Sequence, residues 1–386
     1  MKVQSLVRAA ILLLAASCGG PGFAQTPPTP GAIPASELHG GIEISPRTVR
    51  SVAVRISNGD EGYNVKLLFS DSTIPPGAVV LKEGRLTPEY IQGVAGTVQK
   101  LFQQLRQQYQ IPEPQIHIIG LADLVAPNLN ELGSEILSRT GRPTSFIDVA
   151  TDTELSIAGI IPRRYSAGNK LYDNRSISML IDLANTSIRG GYQQIKRQAT
   201  GTAEYEFVTW DVPRGSSTFA AEVARAAGES ATLAVFANRA QTLAATSIRP
   251  LLQSEIAKRP SMRARRKIYL TGSVIWAMMT LLHPEQNDSY LPITMNDITT
   301  FYNRAHLDPD SLMNPDLSKI SDENHRNEMR RAREVIKATY SPKTLLAGAE
   351  MLRTLAMELQ FENKRVLYPR FAWFARILSY VRLEGQ

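Results

Sequence analysis

Gly41-Ile42-Glu43-Ile44-Ser45-Pro46-Arg47-Thr48-Val49-Arg50 and Leu180-Ile181-Asp182-Leu183-Ala184-Asn185-Thr186-Ser187-Ile188-Arg189 carry one pattern at two places in the chain. In each copy an acid sits between branched apolar residues, a small polar turn follows, and an arginine stands seven positions after the acid. Val52, Val54 and Ile56 alternate with other residues after the first copy, and Gly190-Gly191-Tyr192 leads into Gln193 to Ile195 after the second. Both copies read as strand, tight turn, strand, with the acid where the first strand ends. A duplicated hairpin aims two polar loops and two carboxylates at one place, which is a design suited to phosphate. The bland reading, an acid paired with its own hairpin's arginine, stands beside it.

The length of 386 residues suits two domains, or one duplicated domain with a cleft, rather than one ordinary core. A hydrophobic fraction of 43% and a charged fraction of 20% are those of a globular chain. The formal charge of +7 favours polyanions or acidic surfaces but is too mild to argue for specific nucleic-acid binding. Part of that excess is local, in Lys258, Arg259, Arg263, Arg265, Arg266 and Lys267, which read either as an anion patch or as a solvated helix end.

Residues 1–24 read as an export signal. Lys2 and Arg8 form its charged region, and Ala9 to Ala16 an apolar run too short to span a bilayer. Gly22-Phe23-Ala24 offers ordinary cleavage before Gln25, while Ala15-Ala16-Ser17-Cys18 looks like a lipobox, and both stay open. A periplasmic or envelope-associated location follows, with a lipid anchor in the second case. Cys18 is the one cysteine, so the body of the protein has neither disulfide nor thiol nucleophile. Thr26-Pro27-Pro28-Thr29-Pro30 lies in an extended spacer over 25–39. No later segment approaches transmembrane length, and the oligomeric state is not legible.

Along the body, Val65 to Phe69 reads as a third strand. Thr87-Pro88-Glu89 opens a helix whose apolar stripe is Ile91, Val94, Val98, Leu101 and Leu105. Ile116 to Ile119 is a strand, Asn128 to Leu137 a helix, and Ser145 to Val149 a strand before a helix that Thr151-Asp152 caps and that carries Glu154. The second half repeats the order with strands at Ile177 to Leu183, Tyr192 to Ile195 and Tyr205 to Trp210. A long helical stretch from about Thr218 to Ala257 follows, then a strand at Ile268 to Leu270, a turn at Thr271-Gly272-Ser273 and an apolar helix to Leu282. Asp308 to Asn327 reads as a polar surface excursion, and Leu345 to Leu359 and Phe371 to Val381 as closing helices. Three strands followed by alternating helices and strands, twice, predict an α/β protein with domains over 40–170 and 171–386. None of the five histidines stands at a metal-binding spacing, and His117 reads as a core histidine.

On these residues the chain resembles the exopolyphosphatase/guanosine-pentaphosphatase (Ppx/GppA) family, over about Gly41 to Tyr380. Leu180-Ile181-Asp182-Leu183 with Arg189-Gly190-Gly191-Tyr192 looks like its second phosphate loop, and Thr153-Glu154 before Ile160-Ile161-Pro162 is similar to the segment bearing its catalytic glutamate. Asp211-Val212-Pro213-Arg214-Gly215-Ser216, Tyr269-Leu270-Thr271-Gly272-Ser273 and Leu346-Ala347-Gly348-Ala349-Glu350-Met351-Leu352 are similar to its proline-glycine turn, its glycine turn and its late helix.

The resemblance implies duplicated actin-like (ribonuclease H-like) domains with an interdomain cleft, taking polyphosphate or a nucleoside polyphosphate. It implies phosphate contacts from Ser45, Thr48, Arg50, Asn185, Thr186, Ser187, Arg189, Gly215, Gly272 and Ser273, and one or two Mg²⁺ ions held by Glu43 and Asp182. Glu154 would deprotonate the attacking water. The sequence departs from that family at each loop. Glu43 stands where aspartate is usual, Ser45-Pro46 where glycine and a hydroxyl residue are usual, and Ala184, Thr186 and Ser273 where glycines are usual. Pro46 has no amide hydrogen to give a phosphate. Each donor lost from a polyanion site costs roughly 1.5–3 kcal/mol. Two readings therefore stand: a phosphoanhydride hydrolase, or a catalytically inactive binding or scaffold protein of the envelope.

Overall fold

The structure, a computed structural model, describes residues 37–46, 48–59, 62–76, 81–82, 84–162, 164–167, 170–197, 203–228 and 230–384. The segment read as an export signal, Cys18, most of the proline-rich spacer and Arg47 lie outside the described residues. The chain divides into two compact units, residues 1–146 with 377–386 and residues 147–376.

In the first unit, β1 (Glu37–Ile44), β2 (Val49–Gly59) and β3 (Gly62–Thr73) form an antiparallel meander. α1 (Pro88–Gln107), β4 (Ile116–Gly120), α2 (Leu129–Thr140) and β5 (Thr144–Phe146) follow, and the two later strands join the sheet in parallel, giving the order β3-β2-β1-β4-β5. α1 starts where Thr87 Oγ1 accepts from the Tyr90 amide at 3.3 Å, with Pro88 and Glu89 in the first turn as expected. Its stripe of Val94, Val98, Leu101 and Leu105 is buried against the sheet, where truncation of one leucine to alanine costs about 2–5 kcal/mol. The C-terminal helix (Ala372–Glu384) completes this unit: a Cβ at Gly41 would overlap Ile377, and Tyr380 donates to Ser145 Oγ at 2.8 Å. That close approach is why β1 carries a glycine at its centre.

The second unit opens with α3 (Val149–Ile160), which packs on its sheet. β6 (Ser178–Leu183), β7 (Ile188–Arg197) and β8 (Ala203–Val212) repeat the antiparallel meander. α4 (Ser216–Ala227), α5 (Leu233–Leu243) and α6 (Arg249–Lys258) lead to β9 (Lys267–Thr271) and α7 (Ser273–Leu282). After β10 (Tyr290–Ile293) come α8 (Met295–Leu307), α9 (Pro309–Met313), α10 (Glu323–Thr339), α11 (Pro342–Glu358) and β11 (Arg365–Pro369). The sheet order is β8-β7-β6-β9-β11-β10, with β9 and β11 parallel and β10 an antiparallel edge. Setting that edge aside, both sheets have one order: three meander strands, then two parallel ones beside the first. The duplication seen in the hairpins therefore extends to the whole of both sheets.

Several local expectations are corrected. The strand expected over Ser145 to Val149 stops at Phe146, because Asp148 caps α3 by accepting from the Thr151 amide at 2.8 Å. Thr151 and Asp152 are consequently inside the helix rather than capping it. The helical region from Thr218 is punctuated at Gly228 as its glycine suggests, with a φ of +91°, while α5 joins α6 through a π-turn at Ala244–Ile248. The polar stretch Asp308 to Asn327 contains α9 and the start of α10, with Leu312 and Met313 turned into the core. Arg265, read as part of a basic patch, is buried. Its guanidinium lies 4.1 Å from the Tyr192 ring centre and donates to the Ser176 and Gln193 carbonyls.

His117 of β4 stacks on His39 of β1 with ring centres 6.3 Å apart, and the Tyr380 ring meets its edge at 6.1 Å. Burial, then the nearby His39 and Arg142, hold the His117 pKa down from 6.5 to about 4. The folded chain therefore resists protonation that the unfolded chain accepts below about 6.5. Stability is expected to be flat above pH 7 and to fall as pH drops from about 6.5 towards about 4. Melting temperature measured across that range should show the fall, and His117→Gln should flatten it. An equal fall in the variant would assign the acid sensitivity elsewhere.

Candidate functional site

In the second unit Asp182 of β6 stands opposite Arg189 of β7 in the antiparallel ladder and beside Thr271 of β9 in the parallel one. Its Oδ2 accepts from Arg189 Nε at 3.2 Å and lies 3.7 Å from Arg376 Nη1, and its Oδ1 accepts from the Thr271 hydroxyl at 3.1 Å. A second acid joins them. Asp152 of α3 is 1% exposed, 3.1 Å from Arg189 Nη1 and 3.4 Å from Arg376 Nη1. Two carboxylates and two guanidiniums thus form one nearly dry, charge-balanced cluster. Neither Asp152 nor Arg376 stood out in the sequence. Asp152 lies in line with the buried stripe of Leu155, Ser156 and Ile160, and that helical spacing was the available signal. Glu154 sits half-buried two residues further along the same helix.

The loop beyond Asp182 runs from Ala184 to Ser187 and closes on itself, the Ala184 amide donating to the Ser187 carbonyl at 3.0 Å. The Ala184 carbonyl accepts from the Ser216 amide, and the Asn185 carbonyl from the Ser217 and Thr218 amides, so this loop caps the start of α4. Asn185 Oδ1 accepts from the hydroxyls of Ser217 at 3.3 Å and Ser273 at 3.0 Å. Gly215 and Gly272 act by shape. A Cβ on Gly215 would overlap the Thr186 and Ser187 amide nitrogens, and one on Gly272, at φ +118°, would overlap the Leu183 carbonyl. Among the described residues, the amides of Asn185, Thr186 and Ser187 donate to no acceptor. Three successive amides of this kind, next to the first turn of α7, are the ingredients of an anion-binding turn.

The first unit carries the parallel hairpin with another outcome. Glu43, fully buried, faces Arg50 in the β1–β2 register, and Arg50 Nη1 donates to its Oε1 at 2.9 Å. Ser45 and Thr48 are spent on each other: the Ser45 amide donates to the Thr48 carbonyl, the Thr48 amide to Ser45 Oγ at 3.1 Å, and the two hydroxyls lie 2.8 Å apart. The Tyr90 hydroxyl closes the turn by donating to the Pro46 carbonyl at 3.1 Å. The described polar groups of Ser45 and Thr48 in this loop are thus paired locally.

Among the described residues no three histidine, cysteine, aspartate or glutamate side chains are grouped to hold a metal. The donor chemistry agrees: each predicted Mg²⁺ ligand, Glu43 and Asp182, already faces a guanidinium. Taken unit by unit, these residues do not fit a divalent cation, which prefers carboxylates, phosphates and water to fixed positive neighbours. A cavity of about 70 Å³ bordered by Trp276, Met279, His283, Arg370 and Trp373 includes none of the predicted site residues.

The class defined by these two like-ordered sheets is the actin-like α/β fold, and several of the solved structures that match it are exopolyphosphatase-like. An Aquifex aeolicus member of the Ppx/GppA family matches with a TM-score of 0.57 and 14% identity, over 91% of this chain and 99% of that one. A Cytophaga hutchinsonii exopolyphosphatase matches with a TM-score of 0.56 and 12% identity, over 90% and 98%. An exopolyphosphatase-like protein matches with a TM-score of 0.54 and 11% identity, over 86% and 94%. No protein-family model matches the chain, and no curated protein does. At such identities the likeness is one of fold: the chain is built as these exopolyphosphatases are, while its loops are its own.

The ion cluster generates a stability prediction. Arg189→Met leaves Asp152 and Asp182 with half their compensation, and removing one partner of a buried pair costs about 3–5 kcal/mol. Denaturant unfolding should report that loss. The double variant Arg189→Met with Asp152→Leu should recover much of it, because an apolar pair is often as stable as a buried ionic one. A single-variant loss well below about 1 kcal/mol would remove the cluster as a determinant of stability.

Proposed function

We propose that this chain is an exported binder of phosphoanhydride polyanions, polyphosphate or a nucleoside polyphosphate, that has lost the hydrolytic step. The observation that carries the proposal is the contrast between the two loops. In the second, the amides of Asn185, Thr186 and Ser187 find no acceptor among the described residues beside the start of α7, and in the first the Ser45 and Thr48 amides are consumed within the turn. The exopolyphosphatase-like fold gives the ligand class its support. Loss of hydrolysis is supported by the acids: Asp182 and Glu43 are each engaged by arginine, which leaves neither carboxylate open to a metal ion.

Isothermal titration at low salt with tripolyphosphate is expected to show binding. Thr186→Pro, which deletes one amide donor, should weaken it about tenfold, the equivalent of one hydrogen bond to a charged group. Thr186→Ala, which keeps the amide, should leave it unchanged. Phosphate release in Mg²⁺ should stay at the level without protein. Turnover that disappears in Glu154→Gln would establish the hydrolase reading instead, with Glu154 as its base.

Export rests on Lys2, Arg8 and the run Ala9 to Ala16. Mass spectrometry of the periplasmic fraction is expected to find a mature chain beginning at Gln25. An acylated Cys18 terminus in the membrane fraction would assign envelope anchoring, and an intact Met1 chain in the cytoplasm would overturn export.

A further inference from the structure

We infer that arginine stands in for a divalent cation at the acids of the second unit, so that this site takes its phosphate-rich ligand without a metal bridge. The part of this that concerns the ligand rests on the phosphate-binding reading above; the part that concerns the metal stands on geometry alone. Mg²⁺ at a phosphate site is typically held by one or two carboxylates, several waters and the ligand's own oxygens in a tight octahedron. Here three of the four carboxylate oxygens accept hydrogen bonds, and the fourth, Asp152 Oδ2, has no hydrogen-bond donor but lies 3.1 Å from Arg189 Nη1. Asp182 Oδ1 takes the Thr271 hydroxyl, Asp182 Oδ2 takes Arg189 Nε with Arg376 Nη1 beyond it, and Asp152 faces Arg189 Nη1 and Arg376 Nη1.

A cation seated on Asp182 would meet two fixed guanidiniums. Those arginines cannot swing away freely, because their side chains are only 4% and 13% exposed. Nor can they be discharged, since a guanidinium keeps its proton at any pH a folded protein meets. Arg376 is the more exposed of the two, and is the positive group placed to offset phosphate charge in the role a metal would otherwise fill. Arg376 is therefore a positioning residue for the acids and the switch between the metal-free and metal-binding forms of the cluster.

The test has two arms. Mn²⁺, whose spin reports its own binding, is titrated into the chain without other ligands. Wild type is expected to bind no ion at the acids. Arg376→Gln is expected to gain one equivalent, and Asp182→Asn added to Arg376→Gln should lose it again. One tight equivalent in wild type that Asp182→Asn removes would overturn the inference, as would no gain in a folded Arg376→Gln. Should that variant fold poorly, the wild-type titration decides alone. In the second arm tripolyphosphate is titrated in EDTA and in Mg²⁺, with affinities expected to agree within about threefold. Binding seen only with Mg²⁺ overturns the inference and leaves the phosphate-binding reading standing. Binding in neither buffer overturns that reading, and the Mn²⁺ arm then judges the arginines separately.

Discussion

A carboxylate facing a guanidinium across two antiparallel strands organises each unit. Burying either charge alone costs several kcal/mol, so once Glu43 or Asp182 is committed to the end of a central strand, the opposite strand has to bring an arginine to the facing position. That requirement fixes the register of the hairpin, since a slip of one residue would send the arginine to the other face of the sheet. In the second unit the demand spreads. Arg189 has two acids within reach, the second from α3, and the surplus charge is met by Arg376, 224 residues away from Asp152 along the chain. The ends of the unit are drawn onto the middle of its sheet by electrostatics as much as by the apolar core.

The two hairpins share one acid–arginine register and differ in their turns. In the first, Ser45 and Thr48 pair with each other and the Pro46 carbonyl accepts from Tyr90. The second keeps a strand-end acid, uses its carbonyls to finish a helix, and holds its amides back. The fold is close to that of the exopolyphosphatase structures it matches, while the two turns differ in which of their polar groups are already paired, and a shared fold does not by itself carry a shared chemistry.

What could be read in advance follows the range of the interaction. The hairpins were legible because acid and arginine lie seven residues apart and the register that pairs them is local. α1 was legible because Thr87-Pro88-Glu89 is a complete starting signal and Val94, Val98 and Leu105 keep strict helical spacing. Asp152 was not, because its partners are a strand residue and the start of the last helix. Asp148 was passed over as the cap because Thr151-Asp152 offered the same chemistry three residues later. The stretch from Asp308 looked like surface because its prolines and acids outnumber Leu312 and Met313, yet Pro309 serves as a helix starter there. Arg265 counted as free charge on paper, while the Tyr192 face that holds it lies in a different strand.

The helix from Ala372 to Glu384 makes the first unit discontinuous along the chain. Its first residues belong with the second unit and its later ones with the first. Ile377 and Val381 lie against the bare Cα of Gly41 in β1, a contact between distant parts of the sequence. Closing so long a loop carries an entropic cost that local strand pairing does not, so this part of the first sheet's packing is expected to form after its hairpins.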